Sequence, residues 1–418
     1  MAEDFHEKVL SILVFGSMLS AHYSAPKFMH FANEQLDILK RGIVTLHSEK
    51  ELLEKLGRGK PLRVKMGVDP TSPDIHLGHA VGLRKLRQFQ DLGHHIVLII
   101  GDFTAMIGDP SGRTSTRPPL TYEQVMANAA TYTEQAFLVL DRSKTEVVYN
   151  GDWFKEMPFM EVIRLNARVT LQQMLQREDF KTRVQEGTEV RLHEIQYPIM
   201  QGWDSVVVRA DVEIGGSDQL FNILVGRDLQ KEEGQEPQVC MTLPLLEGLD
   251  GVKKMSKSLN NYVGVTDEAK DMFGKLMSIP DELMAKYYLL VLGEVMDATL
   301  HPMAAKKALG AKCVTLYHDA TAAEACLADW DLRFSKRDLA SADLPVLILP
   351  EARDVIAVVA HAFAEVLGTP KSNGDIRRLI QGGSIQLNGE KITDPKAVPD
   401  WNVGDVLKLD KKSSVRLG

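Results

Sequence analysis

The stretch that most constrains this chain runs from Leu62 to Gly93. Leu62–Val68 is a short, apolar-rich run suited to a buried parallel strand. The next residues, Asp69–Ile75, hold two prolines and two aspartates, so they form a loop. Beyond them Ala80, Leu83, Leu86 and Phe89 recur at helical spacing, which predicts a helix from near Gly78 to a stop at Gly93. A strand, a tight loop and a helix N-terminus, in that order, point backbone N–H groups and the helix dipole at an anion. The loop also delivers His76 and His79 around Gly78, which lets a ligand come close. Imidazole N–H groups there can donate to phosphate oxygens as negative charge builds on them. Alone, the pattern fits equally a capping histidine and a second one on a solvated helix face.

A second element stands far down the chain. Lys253-Lys254-Met255-Ser256-Lys257-Ser258 lies between Gly251 and Asn260-Asn261. It is small, polar and three times positive, which suits a mobile loop closing on polyphosphate; a solvated basic turn has the same composition. Between the two elements strands and helices alternate. Ile96–Ile100 is apolar throughout, as in a strand covered on both faces. It leads into the Gly101–Arg113 loop, with three glycines and two aspartates. Glu146–Tyr149, a run from Val206–Val208 into Asp211–Ile214, and Met241–Leu246 read as further strands. Phe31–Leu56, Thr121–Leu140, Phe159–Phe180 and Arg191–Trp203 read as helices. Gly215-Gly216-Ser217-Asp218-Gln219 is again a glycine-rich turn before a helix, where close backbone approach beside a carboxylate suits a ribose. Polar loops at the C-terminal ends of parallel strands are where open α/β sheets bind ligands.

Composition sets limits. The 418 residues carry a net charge of −8, with 44% hydrophobic and 25% charged residues, so the chain as a whole is no basic nucleic-acid binder. Cys240, Cys313 and Cys326 are scattered, without zinc spacing, which argues for a reducing, cytoplasmic setting and no protein-bound metal. No run approaches the roughly 18 apolar residues of a membrane span. Leu10–Leu19 is apolar, but Glu3, Asp4 and Glu7 precede it where a secretory signal is positive. Residues 1–40 therefore read as an N-terminal extension and helix, with Met29 as an alternative start. The expected order continues with a catalytic domain at 41–250, the lysine loop at 251–265, an α-helical domain at 266–340, a proline-bearing linker at 341–370 and a small domain at 371–418. The last segment holds nine Lys and Arg against six Asp and Glu. It reads as an arginine-bearing helix (Arg377, Arg378), a Gly-Gly turn, a strand, and an Asn-Gly turn into Lys391.

Together, His76-Leu77-Gly78-His79 and Lys254–Ser258 resemble the HIGH and KMSKS signatures of class I aminoacyl-tRNA synthetases, with leucine in place of isoleucine in the first. Tyr197-Pro198-Ile199-Met200-Gln201-Gly202-Trp203-Asp204 is similar to the tyrosine-binding helix of the tyrosyl-tRNA synthetases. The tail resembles a small RNA-binding fold shared by ribosomal and pseudouridine-synthase proteins. These resemblances imply an α/β chain: a Rossmann-like parallel-sheet catalytic domain, an α-helical domain and a small α+β RNA-binding domain. They imply activation of L-tyrosine by ATP with Mg²⁺, transfer to tRNA(Tyr), and a homodimer. His76, His79, Lys254, Lys257 and Thr71 would act on the phosphates, joined by Arg113 and Arg117. Asp69, Gly78, Gly82, Gly216, Asp218, Met255 and Lys257 would bind ATP. Thr104, Asp109, Tyr197, Gln201, Asp204 and Gln219 would bind tyrosine, Asp204 taking the phenolic hydroxyl. Arg377, Arg378 and Lys391 would contact tRNA. Lys65 stands where the better-known bacterial branch has a tyrosine, as in a second bacterial branch that carries lysine there; its role is left open, with pairing to Asp204 one reading. A tryptophanyl-type synthetase, a small-molecule adenylyltransferase and a non-catalytic RNA-binding descendant remain as alternatives.

Overall fold

The computed structural model describes residues 31–111, 120–336, 338–410 and 413–418. Leu10–Leu19, Arg113 and Arg117 lie outside the described residues. The chain divides into two compact units at Ala323/Glu324.

The first unit is built on a six-stranded sheet of β1 (Thr45–His47), β2 (Arg63–Val68), β3 (His95–Ile100), β4 (Thr145–Tyr149), β5 (Val212–Gly216) and β6 (Val239–Leu243), in the order β1-β6-β5-β2-β3-β4. All neighbours are parallel except β1, an antiparallel edge on β6. Ile96–Ile100 of β3 are wholly buried, because helices cover both faces of the sheet. The first crossover is helix α1 (Leu77–Asp91), which buries Leu77, Ala80, Leu83, Leu86 and Phe89. It ends before Gly93, whose φ of +94° is the left-handed conformation a helix stop requires. From β2 the chain builds outward to β3 and β4, then returns to β5 and β6 on the other side. The strand order therefore reverses at β2, which opens a crevice at the strands' C-terminal ends.

Two helix expectations and one strand expectation change. Phe31–Leu56 contains β1 between helices at Ala32–Leu39 and Glu49–Gly57. Phe159–Phe180 is not continuous: α4 (Phe159–Asn166) stops, Thr170 caps the short Leu171–Met174 turn, and α5 (Glu178–Gln185) starts after Arg177. Before them stand α2 (Thr104–Ile107) and α3 (Tyr122–Ala136). Val206–Val208 is not strand but the last turn of α6 (Leu192–Val208), ended by Arg209 at φ 52°. A three-valine run has no periodicity of its own to separate a buried helix turn from a strand. After α7 (Leu220–Glu232) and β6 the unit becomes helical, with Gly310 of α9 (Pro302–Tyr317) admitting the Phe273 ring of α8 (Ala269–Met277).

The second unit corrects the expected linker. Residues 341–370 contain strand β7 (Val346–Leu347) and helix α10 (Val355–His361). Val355, Val358, Val359 and Phe363 pack with Ile376 and Ile380 of α11 (Asn373–Gln381) in one core. The prolines at 345 and 350 bracket a strand instead of marking a tether. The sheet runs β7-β11-β10-β8-β9, with β8 at Gln386–Leu387, β9 at Glu390–Lys391, β10 at Val406–Lys408 and β11 at Ser414–Leu417. Asn388 and Gly389, at φ 49° and 89°, make the two-residue hairpin turn that Asn-Gly favours.

Candidate active site

At the reversal point lies a cavity of about 560 Å³. Every residue expected to act on phosphates or to bind ATP or tyrosine, among those described, lines it. Arg377, Arg378 and Lys391 are elsewhere, in the second unit, all exposed.

One end is built by the two signature segments. His76 is the N-cap of α1, and its ring stacks on His79 with centroids 3.7 Å apart. Backbone bonds stitch the chain after the lysine loop to this corner: Leu77 N–H donates to the Val263 carbonyl (2.9 Å) and Val265 N–H to that of Ile75 (3.0 Å). Met255 is buried against Gly78, whose N–H points at its Sδ at 3.3 Å. A Cβ on Gly78 would stand 3.0 Å from the His76 ring and 3.4 Å from Met255 Cβ, so any side chain there presses first on the histidine. Lys257 is ion-paired with Asp74, while Lys254 stands exposed at the cavity mouth. Burial, His79 and Lys257 push His76 down to about 3, and its buried Nδ1 has no partner among the described residues. Enclosure by protein and the cations Lys257 and Lys254 push His79 down to about 4, although its ring opens on the cavity and solvent there tempers the shift. Both rings are therefore neutral near pH 7, able to donate an N–H without bringing charge.

The other end is a set of carboxylates held mainly by neutral donors, with the buried Arg177 guanidinium 3.7 Å from Asp109. Asp204, buried on α6, accepts from Trp153 Nε1 (3.0 Å) and Asn150 Nδ2 (3.3 Å). Burial raises it to about 7, with the Lys65 charge opposing. Tyr197, two turns earlier on the same face of α6, donates its hydroxyl to Asp69 Oδ2 at 2.9 Å, and Thr104 donates to Asp69 Oδ1 at 2.8 Å. Asp69, expected beside ATP, is thus anchored among the tyrosine group. Burial first, then Asp69 and Asp109, raise the Tyr197 hydroxyl well above its ordinary value, so it stays a donor. Gln219 donates to Asp109 Oδ2 (2.8 Å), and Asn222 bridges Gln219 and Gln201 at 3.0 and 2.8 Å. Between the two ends, Gly216 follows Gly215 on β5; a Cβ there would lie 2.5 Å from Asp218 Oδ1, so the carboxylate folds back over bare backbone. Gly82 of α1 faces Met66, whose Sδ would be 2.8 Å from an added Cβ.

Lys65 is not paired with Asp204. Its Nζ donates to Glu213 (2.7 Å), Ser205 Oγ (2.9 Å) and the Gln201 carbonyl (3.0 Å), beneath the cavity floor. The physical reason is register: Lys65 and Glu213 are partners on the adjacent parallel strands β2 and β5. Asn150 and Trp153 were missing from the sequence reading, though an asparagine directly after β4 stands at the edge where such sheets bind ligands. Asn261 was also missed. Its side chain accepts from Ser256 N–H and donates to Asp250, both at 2.8 Å, so it pins the lysine loop.

In the second unit, α11 buries Ile376 and Ile380 and turns Arg377 and Arg378 outward. The Lys391 chain lies against Gly383 just beyond this helix, with Cδ 3.2 Å from where a Cβ would stand.

Residues 58–334 match the family model of class I tRNA synthetases (W and Y). The chain is 50% identical to the tyrosine–tRNA ligase of Aquifex aeolicus, over 92% of its own length and 98% of that enzyme's. With the tyrosine–tRNA ligase of Moorella thermoacetica it shares 46% identity over 92% and 95%. Its fold is that of the Archaeoglobus fulgidus tyrosyl-tRNA synthetase solved with L-tyrosine, at a TM-score of 0.56 and 22% identity, covering 70% of this chain and 99% of that one. With a crevice at the sheet's reversal point, both signature loops in it, and relatives at this identity across almost the whole length, the chain belongs to the tyrosine–tRNA ligases, in the class I aminoacyl-tRNA synthetase family.

Proposed function

We propose that this cavity activates L-tyrosine with MgATP and that the chain then charges tRNA(Tyr). The observation that carries this reading is the convergence of His76/His79, the Lys254–Lys257 loop and Tyr197/Gln201/Asp204 on one cavity from positions up to 180 residues apart. Tyrosine would lie with its phenol at Asp204 and its ammonium group among Tyr197, Gln201 and Asp109, with Thr104 and Gln219 completing the wall. A buried carboxylate that accepts a hydroxyl is left unpaired by phenylalanine, which discriminates by about 10⁴–10⁵. The ribose would meet Gly216 and Asp218, and the adenine the backbone at Gly78 and Gly82.

The tyrosine carboxylate is already ionised at neutral pH and needs no general base. It attacks the α-phosphorus in line, the bond to the β-phosphate oxygen breaks, and tyrosyl-adenylate and pyrophosphate result. The chain's contribution is positioning and charge stabilisation. Neutral His76 and His79 donate to the departing phosphates with Thr71 beside them, and Lys254 and Lys257 bring the positive charge. Lys257 must exchange Asp74 for phosphate to do so. Mg²⁺ would arrive on the triphosphate. In the second step the terminal adenosine hydroxyl of tRNA attacks the activated carbonyl, releasing AMP. Arg377, Arg378 and Lys391 would hold the tRNA backbone through salt-sensitive contacts.

A cytoplasmic homodimer fits two further facts. None of the described helices is long and apolar enough to cross a membrane. Phe159, Met160 and Ile163 of α4 are exposed apolar side chains, the third at helical i+4 and i+3 spacing from the first two, a face suited to a second copy of the chain. The test of function is ATP–pyrophosphate exchange with each of the twenty amino acids and a Lys257→Ala control. Exchange with tyrosine alone, strongly reduced in the control, is expected. Exchange with tryptophan would place the chain in the sister family, and none at all would overturn the catalytic reading.

A further inference from the structure

Lys65 and Glu213 form an ion pair that no step above uses. Their side chains are 0% and 1% exposed, at the centre of the sheet. The pair is fully satisfied: Lys65 spends its three donors on Glu213, Ser205 Oγ and the Gln201 carbonyl. Glu213 accepts also from Ser205 (2.8 Å), Gln238 (2.6 Å) and Gln201 (3.3 Å). Two buried charges are costly to keep where packed apolar residues would serve stability as well or better. Their partners are not scattered. Gln201 and Ser205 lie on α6 three residues before and one after Asp204, and Gln201 and Glu213 themselves line the cavity.

We propose that the Lys65–Glu213 pair is a specificity-determining device under the tyrosine pocket: without touching substrate, it fixes Gln201 and the α6 turn, and its lysine charge keeps Asp204 an anionic acceptor for the phenolic hydroxyl. This rests on the reading that Asp204 binds the phenol. Asp204 itself has only neutral donors, Trp153 and Asn150, so its charge must be supported from a distance. The charged and titratable groups around it are few. Lys65 comes from β2 and Glu213 from β5; Asp69 lies just past β2 and Asp109 past α2. Tyr197 shares its helix. The Lys155–Asp102 pair sits beyond Asn150. On α7, Arg227 is committed to Glu51, and on α4, Arg164 to Glu161. Arg63 and Arg183 also bond this helix, at the Val208 carbonyl and at Glu194 near its two ends, but Lys65 is the cation bonded to residues on both sides of Asp204, Gln201 and Ser205, which makes it a positioning residue acting through the helix and its field.

The two partners then push Asp204 in opposite directions. Removing the lysine charge while Glu213 stays favours the protonated acid; removing the glutamate charge while Lys65 stays bonded to Gln201 and Ser205 favours the carboxylate. The experiment measures tyrosine affinity of the full chain by equilibrium dialysis between pH 5.5 and 9, together with tyrosine/phenylalanine discrimination in pyrophosphate exchange. Lys65→Met should move the midpoint of the affinity loss upward by roughly one to three pH units, and Glu213→Gln should move it downward. The double variant should return to within about one unit of the parent and recover part of the thermal stability that Lys65→Met loses. A purely structural pair would change stability but leave the midpoint in place, and midpoints that are unmoved, or that move the same way in both single variants, overturn the proposal. Should Lys65→Met fail to fold, the direction in Glu213→Gln and the return in the double variant decide. Asp204→Asn separates the two readings. If it keeps the parent's discrimination, the phenol assignment fails and takes the proposal with it; if it loses discrimination while the pair's variants leave the midpoint alone, the proposal alone fails.

Discussion

Asn261→Ala should cripple use of ATP while leaving tyrosine binding intact. Asn261 is 4% exposed and lies within the lysine loop, just past Lys257 and Ser258. Its Oδ1 accepts from Ser256 N–H at 2.8 Å and its Nδ2 donates to Asp250 Oδ2 at 2.8 Å, with longer contacts to the Lys253 and Lys254 carbonyls. A neutral hydrogen bond is worth about 1 kcal/mol and one to a carboxylate about 1.5–3, so truncation removes about 2.5–4 kcal/mol. All four partners lie in residues 250–256, so the loss falls on local order of the loop and not on the sheet. If the loop must hold this shape for Lys254 and Lys257 to meet phosphate, kcat/KM for ATP falls roughly 50- to 700-fold, at tenfold per 1.4 kcal/mol. The assay is pyrophosphate exchange at varied ATP, with tyrosine affinity measured separately by dialysis. Gly248→Ala is an independent perturbation of the same contact: its Cβ would stand 2.3 Å from the Asn261 side chain and carbonyl. It should reproduce the ATP defect with Asn261 still present. An ATP kcat/KM within about threefold of the parent, or a tyrosine affinity that falls equally, would refute the reasoning.

Trp153→Phe keeps the ring but loses the donor to Asp204, so KM for tyrosine should rise roughly 10- to 100-fold with KM for ATP unchanged in exchange assays. His94 is buried, accepting from Leu62 N–H at Nδ1 (3.1 Å) and facing Gln35 Oε1 through Nε2 (3.0 Å), a neutral tautomer. Burial, opposed by Asp211, lowers it to about 4. The unfolded chain therefore takes the proton first: His94's contribution is complete above about pH 6.5 and is lost as pH falls towards 4, roughly 2 kcal/mol by pH 5. Denaturant melts at pH 7 and 5 should show that slope flattened in His94→Gln. If the proposed homodimer forms through α4, Phe159→Glu, at a side chain 77% exposed, should shift sedimentation towards the monomer without changing the fold seen by circular dichroism; a parent chain that sediments as a monomer, or a variant dimer unchanged, would overturn that proposal. Arg377→Ala with Arg378→Ala should weaken charging of tRNA and reduce its salt dependence while pyrophosphate exchange is unaffected.

What was legible in the sequence follows a physical line. Elements with a strong local signature came through: β3 because five consecutive apolar residues need cover on both faces, α1 because its apolar spacing and Gly93 agree, the β8–β9 hairpin because Asn388-Gly389 suits few other conformations. The residues singled out by the motifs line one cavity for the same reason, as both signature loops are contiguous in the chain. The failures were of longer range. Val206–Val208 gave no periodicity, and only packing made it helix. Residues 341–370 read as a tether because two prolines masked the Val355, Val358, Val359 spacing. Lys65 was matched to the wrong carboxylate because strand register, which sets Glu213 beside it, is invisible until β2 and β5 are known neighbours. Asn150, Trp153 and Asn261 act singly through tertiary contacts, and a lone asparagine carries no signature.

The division of charge inside the cavity explains why both substrates are orientated by one site. Asp69, Asp109 and Asp204 cluster where Tyr197, Thr104 and Gln219 supply neutral donors, so that end welcomes an ammonium group and a hydroxyl but repels phosphate. Lys254 and Lys257 stand at the opposite end, beside two histidines held neutral, His76 by burial and His79 by the protein around it and the neighbouring lysine charges. Were those imidazoles cationic, they would bind ground-state ATP and released pyrophosphate alike and gain little for the reaction. As neutral donors they respond most to the charge that develops on the leaving oxygens. The lysines can bring full charge once Lys257 gives up Asp74. A carboxylate nucleophile entering from the acidic end and a pyrophosphate leaving toward the basic end are then moved by the same field along the reaction axis. The chain needs no general base for this, only the separation of charge that the reversal of strand order at β2 creates.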